Sequence, residues 1–165
     1  MDLNRKRMNV GITAEDNRSE LSAGSTVTLE ITAYGSEGQG IARHNGMAVF
    51  VPGAICGETV EAEIKKAAPS FAEAKLQKIL RPSAERVIPP CPHYAECGGC
   101  DILHMSYAEQ LRMKRETVRS AMERIGGFRG IEILPCIGAD KPEHYRNKAV
   151  FQFANAEKTN KKNLR

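Results

Sequence analysis

Apolar and polar residues alternate strictly in several short stretches between residues 25 and 80. Val27, Leu29, Ile31 and Ala33 are interleaved with Thr28, Glu30 and Thr32, the period-two pattern of a half-buried strand. Val60, Ala62 and Ile64 interleave with Glu61, Glu63 and Lys65, and Ala72, Ala74 and Leu76 with Glu73, Lys75 and Gln77. Between them, Ile41–His44 and Met47–Val51 flank Asn45-Gly46, the strongest two-residue hairpin signal. Pro52-Gly53 ends that hairpin, and Gly35, Gly38 and Gly40 punctuate the loop before it. Five short strands joined by tight turns predict a small closed barrel. The alternation by itself fits an oligonucleotide-binding barrel and an SH3-like barrel equally.

After residue 106 the period changes to that of a helix. Ser106 and Glu109 predict a capping box, each side chain satisfying an orphan N–H of the first turn. Leu111, Val118, Ala121, Met122 and Ile125 recur on one face, and Gly126-Gly127 supplies the stop. The other face mixes Arg112, Lys114, Arg115, Arg119 and Arg124 with Glu109, Glu116 and Glu123, the signature of a solvated surface with i,i+4 pairing. Between barrel and helix, Arg81–Pro90 contains three prolines and reads as an extended linker.

Composition narrows the picture. The chain has 165 residues and 41% apolar content, enough for one ordinary domain or two small ones. Aromatics are 5% and Trp is absent, so the core must be aliphatic; on that ground Phe50 and Phe71 are assigned to the core rather than to base stacking. The net charge of +4 is uneven: the barrel region is balanced, whereas the residues from 141 onward are rich in Lys and Arg. A basic end of this kind suits a polyanion or simple solvation. No apolar run is long enough to span a membrane, and the N-terminal residues lack the apolar core of a secretory signal. A cytoplasmic location follows as the expectation, with residues 1–21 a disordered leader.

Candidate chemistry is concentrated in Cys91-Pro-His-Tyr-Ala-Glu-Cys97-Gly-Gly-Cys100. With no secretory signal, an odd count of five cysteines reads as reduced thiols or metal ligands rather than disulfides. The paired glycines let the backbone fold tightly, so Cys97 and Cys100 can face one point. Converging thiolates suit an iron–sulfur cluster or zinc. For zinc, Cys91, Cys97 and Cys100 with His104 or His93 make a Cys₃His set. Cys56, in a turn, reads as a small half-buried residue and Cys136 as a half-buried strand thiol; neither is assigned as a ligand.

Three groups of residues resemble a known family. Gly38-Gln-Gly40-Ile-Ala-Arg43, Val49-Phe-Val-Pro-Gly-Ala54 and Gly57-Glu-Thr-Val60 resemble the TRAM domain, an OB-like RNA-binding barrel. The cysteine segment, His104 and Ser106-Tyr-Ala-Glu-Gln-Leu111 resemble the RNA 5-methyluridine methyltransferases, as does Tyr145-Arg-Asn-Lys148. These features stand in the family's order and span about residues 22–153.

The resemblance implies an α+β fold: a five-stranded OB-like (TRAM) barrel over 22–83, an iron–sulfur segment with one helix over 84–127, and the start of a central β domain over 128–165. The family's catalytic Rossmann-like domain is absent from the chain. The implied function is the RNA-binding and iron–sulfur N-terminal part of an S-adenosylmethionine-dependent RNA uridine C5-methyltransferase acting on rRNA or tRNA. Cys91, Cys97 and Cys100 would hold a [4Fe–4S] cluster whose fourth ligand is unassigned, because the family's fourth cysteine follows the Tyr145 motif and Cys136 precedes it. S-adenosylmethionine would belong to the full-length enzyme only, and this chain alone would be inactive. RNA is the implied partner, DNA is not, and Arg43, Lys65, Lys66, Lys75, Arg146 and Lys148 are the candidate contacts. The alternative is a free-standing RNA-binding TRAM module with a structural Cys₃His zinc site.

Overall fold

The computed structural model describes residues 21–145, 147 and 148. The alternating stretches form β1 (Thr26–Tyr34), β2 (Gly40–His44), β3 (Met47–Val51), β4 (Thr59–Ala67) and β5 (Phe71–Arg81), closed into a barrel in the order β1-β2-β3-β5-β4. All neighbours are antiparallel except β3 and β5, which run parallel. This is an OB-like closure, so the choice that alternation left open falls to the oligonucleotide-binding type. At the β2–β3 turn, Asn45 (φ 49°) and Gly46 (φ 84°) both take the left-handed conformation that a tight hairpin needs.

The barrel core is aliphatic: Leu29, Ile31, Val49, Val51, Val60 and Ile64, with Ala42, Ala62, Ala72 and Ala74, are buried inside it. Leu21, at the edge of the expected leader, is half-buried against this core; residues 1–20 lie outside the described residues. Ala33 is a correction. The alternation points it inward, yet it is exposed, because the β1–β2 register shifts between Ile31 and Ala33. A one-residue irregularity reverses the facing of everything beyond it. The inward phase passes to Tyr34, whose hydroxyl reaches the structure that follows the barrel.

That structure is the short α1 (Tyr94–Cys97) and the longer α2 (Tyr107–Arg124). A second apolar cluster, Ile55, Met105 and Met113 with Tyr34 and Ile102 packed against it, forms the seam between them and the barrel. Gly38 lies beneath this seam with φ 82°; a Cβ there would stand 2.6 Å from Cγ2 of Ile102. The glycine is therefore needed both for its backbone angle and for close approach.

Buried charge fastens the seam. The Glu58 side chain is fully buried between β3 and β4. It accepts hydrogen bonds from Arg86 Nε (2.6 Å) and Nη2 (2.8 Å) and from the amides of Ile55 (2.9 Å) and Ser83 (3.3 Å). Arg86 also donates to the Gly53 carbonyl at 2.7 Å. Burial alone pushes the Glu58 carboxyl up, but the Arg86 guanidinium and the two amides outweigh it and hold the group below the ordinary carboxylate range. A second buried carboxylate, Glu109 on α2, accepts from the Tyr34 hydroxyl and from Arg112 Nε at 2.6 Å.

Further expectations are corrected here. The stretch 81–90 is not a free linker: Arg86 bridges to Met105, the Val87 amide donates to the His104 carbonyl (3.0 Å), and the Ser106 amide donates to the Glu85 carbonyl (2.8 Å). Only half of the capping box forms. Ser106 Oγ accepts from the Glu109 amide at 3.2 Å, while the Glu109 carboxylate turns to Tyr34 and Arg112 instead of the cap. The apolar stripe of α2 faces outward at its end: Val118 is 51% and Ile125 88% exposed, and the fully buried positions are Glu109 and Met113. The Glu109–Tyr34 bond fixes the helix's rotation about its own axis, and this overrides the stripe. No strand is present among the described residues from 128 to 148, and Cys136 is half-buried outside any strand. This stretch instead follows α2, with Arg115 Nε donating to the Ile133 carbonyl at 2.7 Å and the Ala139 amide to the Tyr107 hydroxyl at 2.7 Å.

Glu58→Gln is expected to destabilise the chain by about 3 kcal/mol, the lower end for breaking a buried ion pair, since Arg86 keeps some access to water. Because the folded Glu58 carboxyl sits below its unfolded value, its contribution is complete above pH 4.5 and is lost as pH falls through the folded value. Urea unfolding from pH 7 to 3 checks this: the gap between wild type and variant should narrow toward acid, and a constant gap would contradict the assignment.

Candidate nucleic-acid interface

The outward phase of the barrel strands gathers aromatic and basic side chains on one face. Strand register aligns Arg43 (β2), Ala48 (β3) and Phe71 (β5) in one row, and Ile41, Phe50, Glu73 and, on β4, Lys66 in the next. Phe50 and Phe71 stand edge to face with centroids 6.0 Å apart, and Lys66 Nζ lies 5.8 Å from the Phe71 centroid. Both phenylalanines are half-buried and outside the barrel core, which corrects their assignment to it. The alternation itself carries the signal: Val49 and Val51 point inward, so Phe50 between them points out.

The candidate cations differ in how free they are. Arg43 is exposed and donates to the Gly46 carbonyl at 2.9 Å, a bond that orients the guanidinium. A register shift between Ile64 and Lys66 puts both Lys65 and Lys66 outside. Lys65 pairs with Glu63 at 2.5 Å, and Glu63 also accepts from Gln77 and is the register partner of Lys75. Glu63 thus balances one of the two charges of the Lys65–Lys75 patch. Lys66 is 4.0 Å from Glu73, a loose pair that leaves it available. Lys148 is exposed, and Arg146 lies outside the described residues.

The structure adds a second wall that the sequence pattern does not announce. Helix α2 runs opposite the β1-β2-β3 face, so Thr117, Ser120 and Arg124 look across a cleft of about 190 Å³ at Thr32, Arg43 and Phe50. The charge pattern of α2 puts Arg124 on a solvated face; the fold puts it on this wall.

The cysteine segment lies apart from this face. Cys91, Cys97 and Cys100 are all exposed, on α1 and the residues flanking it. Within this segment the Tyr94 and Cys97 amides donate back to Cys91 and His93 carbonyls, at 3.2 and 2.8 Å. Gly98, at φ 67°, ends α1 in the left-handed conformation common at helix C-termini. The segment thus offers three accessible thiols of the right chemistry. Among the described residues, however, no three His, Cys, Asp or Glu side chains converge on one point as a metal would require. His104 is buried, with Nδ1 2.5 Å from the Tyr94 hydroxyl and Nε2 without a hydrogen-bond partner. Burial, and then the nearby Arg86 charge, lower its pKa to about 4, so the ring is neutral at physiological pH. Its charged neighbours are Arg86 and Glu58. His93 is exposed.

Comparison with known proteins adds identity to this geometry. The TRAM domain family model matches residues 20–77. An uncharacterized RNA methyltransferase of Clostridium tetani is 48% identical over 124 residues, covering 75% of this chain and 27% of that protein. Another, from Halalkalibacterium halodurans, is 41% identical over 144 residues, covering 86% and 31%. The chain carries a TRAM domain and is similar to part of these RNA methyltransferases. It spans less than a third of the length of these relatives. Among solved structures, the Pyrococcus abyssi tRNA (uracil-54, C5)-methyltransferase in complex with S-adenosyl-L-homocysteine is similar, with 24% identity, a TM-score of 0.43, and coverage of 71% of this chain and 24% of that one. No helix among the described residues is long and apolar enough to cross a membrane.

In the metal-free chain, Cys91, Cys97 and Cys100 should react with an aromatic disulfide reagent ahead of half-buried Cys56 and Cys136. Mass-spectrometric mapping of the first thiols labelled checks this, and equal labelling of all five would contradict the exposed segment.

Proposed function

We propose that this chain is the RNA-binding and cysteine-bearing part of an S-adenosylmethionine-dependent RNA uracil-C5-methyltransferase acting on tRNA or rRNA. The observation that carries the reading is the outer barrel face, where Arg43 and Lys66 flank the Phe50–Phe71 pair on a TRAM domain. Cations beside accessible rings are what a nucleic-acid strand requires: charge for the backbone and a flat apolar surface for the bases. The uracil-C5 specificity rests on the motif resemblance of the cysteine segment and the α2 start. When bound to the whole enzyme, S-adenosylmethionine would supply the methyl group. This chain's own share of the work is to bind and orient RNA, and none of its residues is given a catalytic role.

Arg43→Glu with Lys66→Glu should weaken RNA binding by the full chain about tenfold at low salt. It should also flatten the dependence of log K on log salt, by about 0.7 for each single-strand phosphate that is no longer neutralised. Fluorescence anisotropy with a labelled RNA oligonucleotide measures both. Unchanged affinity and slope in the folded double variant would remove this face from the RNA path.

Cys91, Cys97 and Cys100 are proposed as ligands of a [4Fe–4S] cluster, supported by their spacing and their exposure on one segment. The chain purified without oxygen should contain iron and acid-labile sulfide in similar amounts with a brown chromophore, and Cys97→Ser should abolish the colour. Zinc without sulfide would overturn the cluster in favour of a structural zinc site.

A further inference from the structure

We propose that the cleft between the barrel face and α2 is a subsite for a single unpaired nucleobase, so that this part of the protein selects single-stranded over duplex RNA. The proposal rests on the RNA-binding reading above and specifies what that face takes. The cleft, at about 190 Å³, is below the roughly 300 Å³ lower bound typical of drug-sized ligands and suits one flat ring. Its barrel side presents Phe50, held in place by the edge of Phe71. Its helix side presents Thr117 and Ser120. The Thr117 hydroxyl donates to the Met113 carbonyl at 3.0 Å and keeps its acceptor lone pairs. Ser120 has no hydrogen-bond partner among the described residues, so it can donate to or accept from a base edge. Arg43 and Arg124 stand on opposite walls, which gives the cleft a charge complement to the phosphates on either side of an inserted base. Glu116 also lines it, but is paired with Arg119 at 3.3 Å.

The two walls are held at a fixed spacing. Tyr34 at the end of β1 donates to Glu109 on α2, and Met113, one turn further, is buried in the seam. A base in a duplex is stacked on both faces and cannot enter a cleft of this width, whereas an unpaired base stacks on Phe50 at no cost in base pairing.

The test uses the full chain and two labelled probes, a single-stranded RNA 12-mer and the blunt duplex of the same sequence. Two variants are compared with wild type, Phe50→Ala and Ser120→Trp. The second fills the cleft from the helix side, where a larger side chain leaves the barrel core untouched, and retained thermal unfolding confirms its fold. The expected result is single-strand binding at least tenfold tighter than duplex binding. Each variant should weaken single-strand binding roughly tenfold, as expected when one base can no longer stack, with duplex affinity unchanged. Wild-type RNA binding that Ser120→Trp leaves intact, or that is equal for both probes, would overturn the subsite while leaving the RNA-binding reading standing. No binding to either probe at low salt would overturn that reading itself, and the subsite with it.

Discussion

The buried carboxylate of Glu58 is the constraint on which the arrangement depends. A fully buried charge is tolerable only when paired and hydrogen-bonded on all sides, and the groups that satisfy this one come from separate places. Ile55 belongs to the same turn, Ser83 follows β5, and Arg86 belongs to the segment that leads to the cysteines. Satisfying Glu58 therefore pulls the end of the barrel and the beginning of the next unit together. Once Arg86 is fixed, Glu85 and Val87 pair with Ser106 and His104, and the segment carrying Cys91, Cys97 and Cys100 is closed between two anchored ends. Glu109 repeats the logic on α2, through Tyr34 and Arg112. The barrel and the cysteine segment are thus joined by charge that neither could bury alone.

This joining shapes the proposed nucleic-acid face. By itself the barrel offers an outer sheet surface with a pair of rings and a few cations. With α2 clamped beside it, the same sheet becomes one wall of a cleft whose other wall supplies hydroxyls and a second arginine. The exposed apolar positions Val118 on α2 and Ile125 just after it are not part of this cleft. The helix therefore has distinct sides: one held to the seam by Glu109 and Met113, one lining the cleft, and one apolar and open.

Much of the barrel is legible in the sequence because its information is local. Period-two alternation places the strands, Asn45-Gly46 places the hairpin, and the alternation names the buried Leu29, Ile31, Val60, Ala62, Ile64, Ala72 and Ala74, whereas Val27 and Leu76 are half-buried and Ala33, beyond the β1 irregularity, is exposed. The exterior is legible in principle too: Phe50 falls on the outward phase, and only the scarcity of aromatics argues it inward. What cannot be read is long-range. Nothing in the run 81–90 signals that Arg86 completes a buried ion pair with a residue 28 positions earlier. The Ser106–Glu109 spacing reads as a capping box until Tyr34, 75 residues away, takes the carboxylate. The period of helix α2 places it along the chain, but its rotation is set by that same distant bond. The spacing of the three cysteines marks them as a group, and spacing says nothing of whether their sulfurs converge.

The central claim is that buried charge makes the barrel and the cysteine segment one cooperative unit. Native-state hydrogen exchange tests it most directly. The amides of Val87 and Ser106, bonded between the 81–90 stretch and residues 104–106, should open with the same free energy and denaturant dependence as those of β4 and β5. Exchange of these amides at a markedly lower free energy, while the barrel strands stay protected, would show that the segment opens on its own and that Glu58 and Glu109 do not bind the two parts into one.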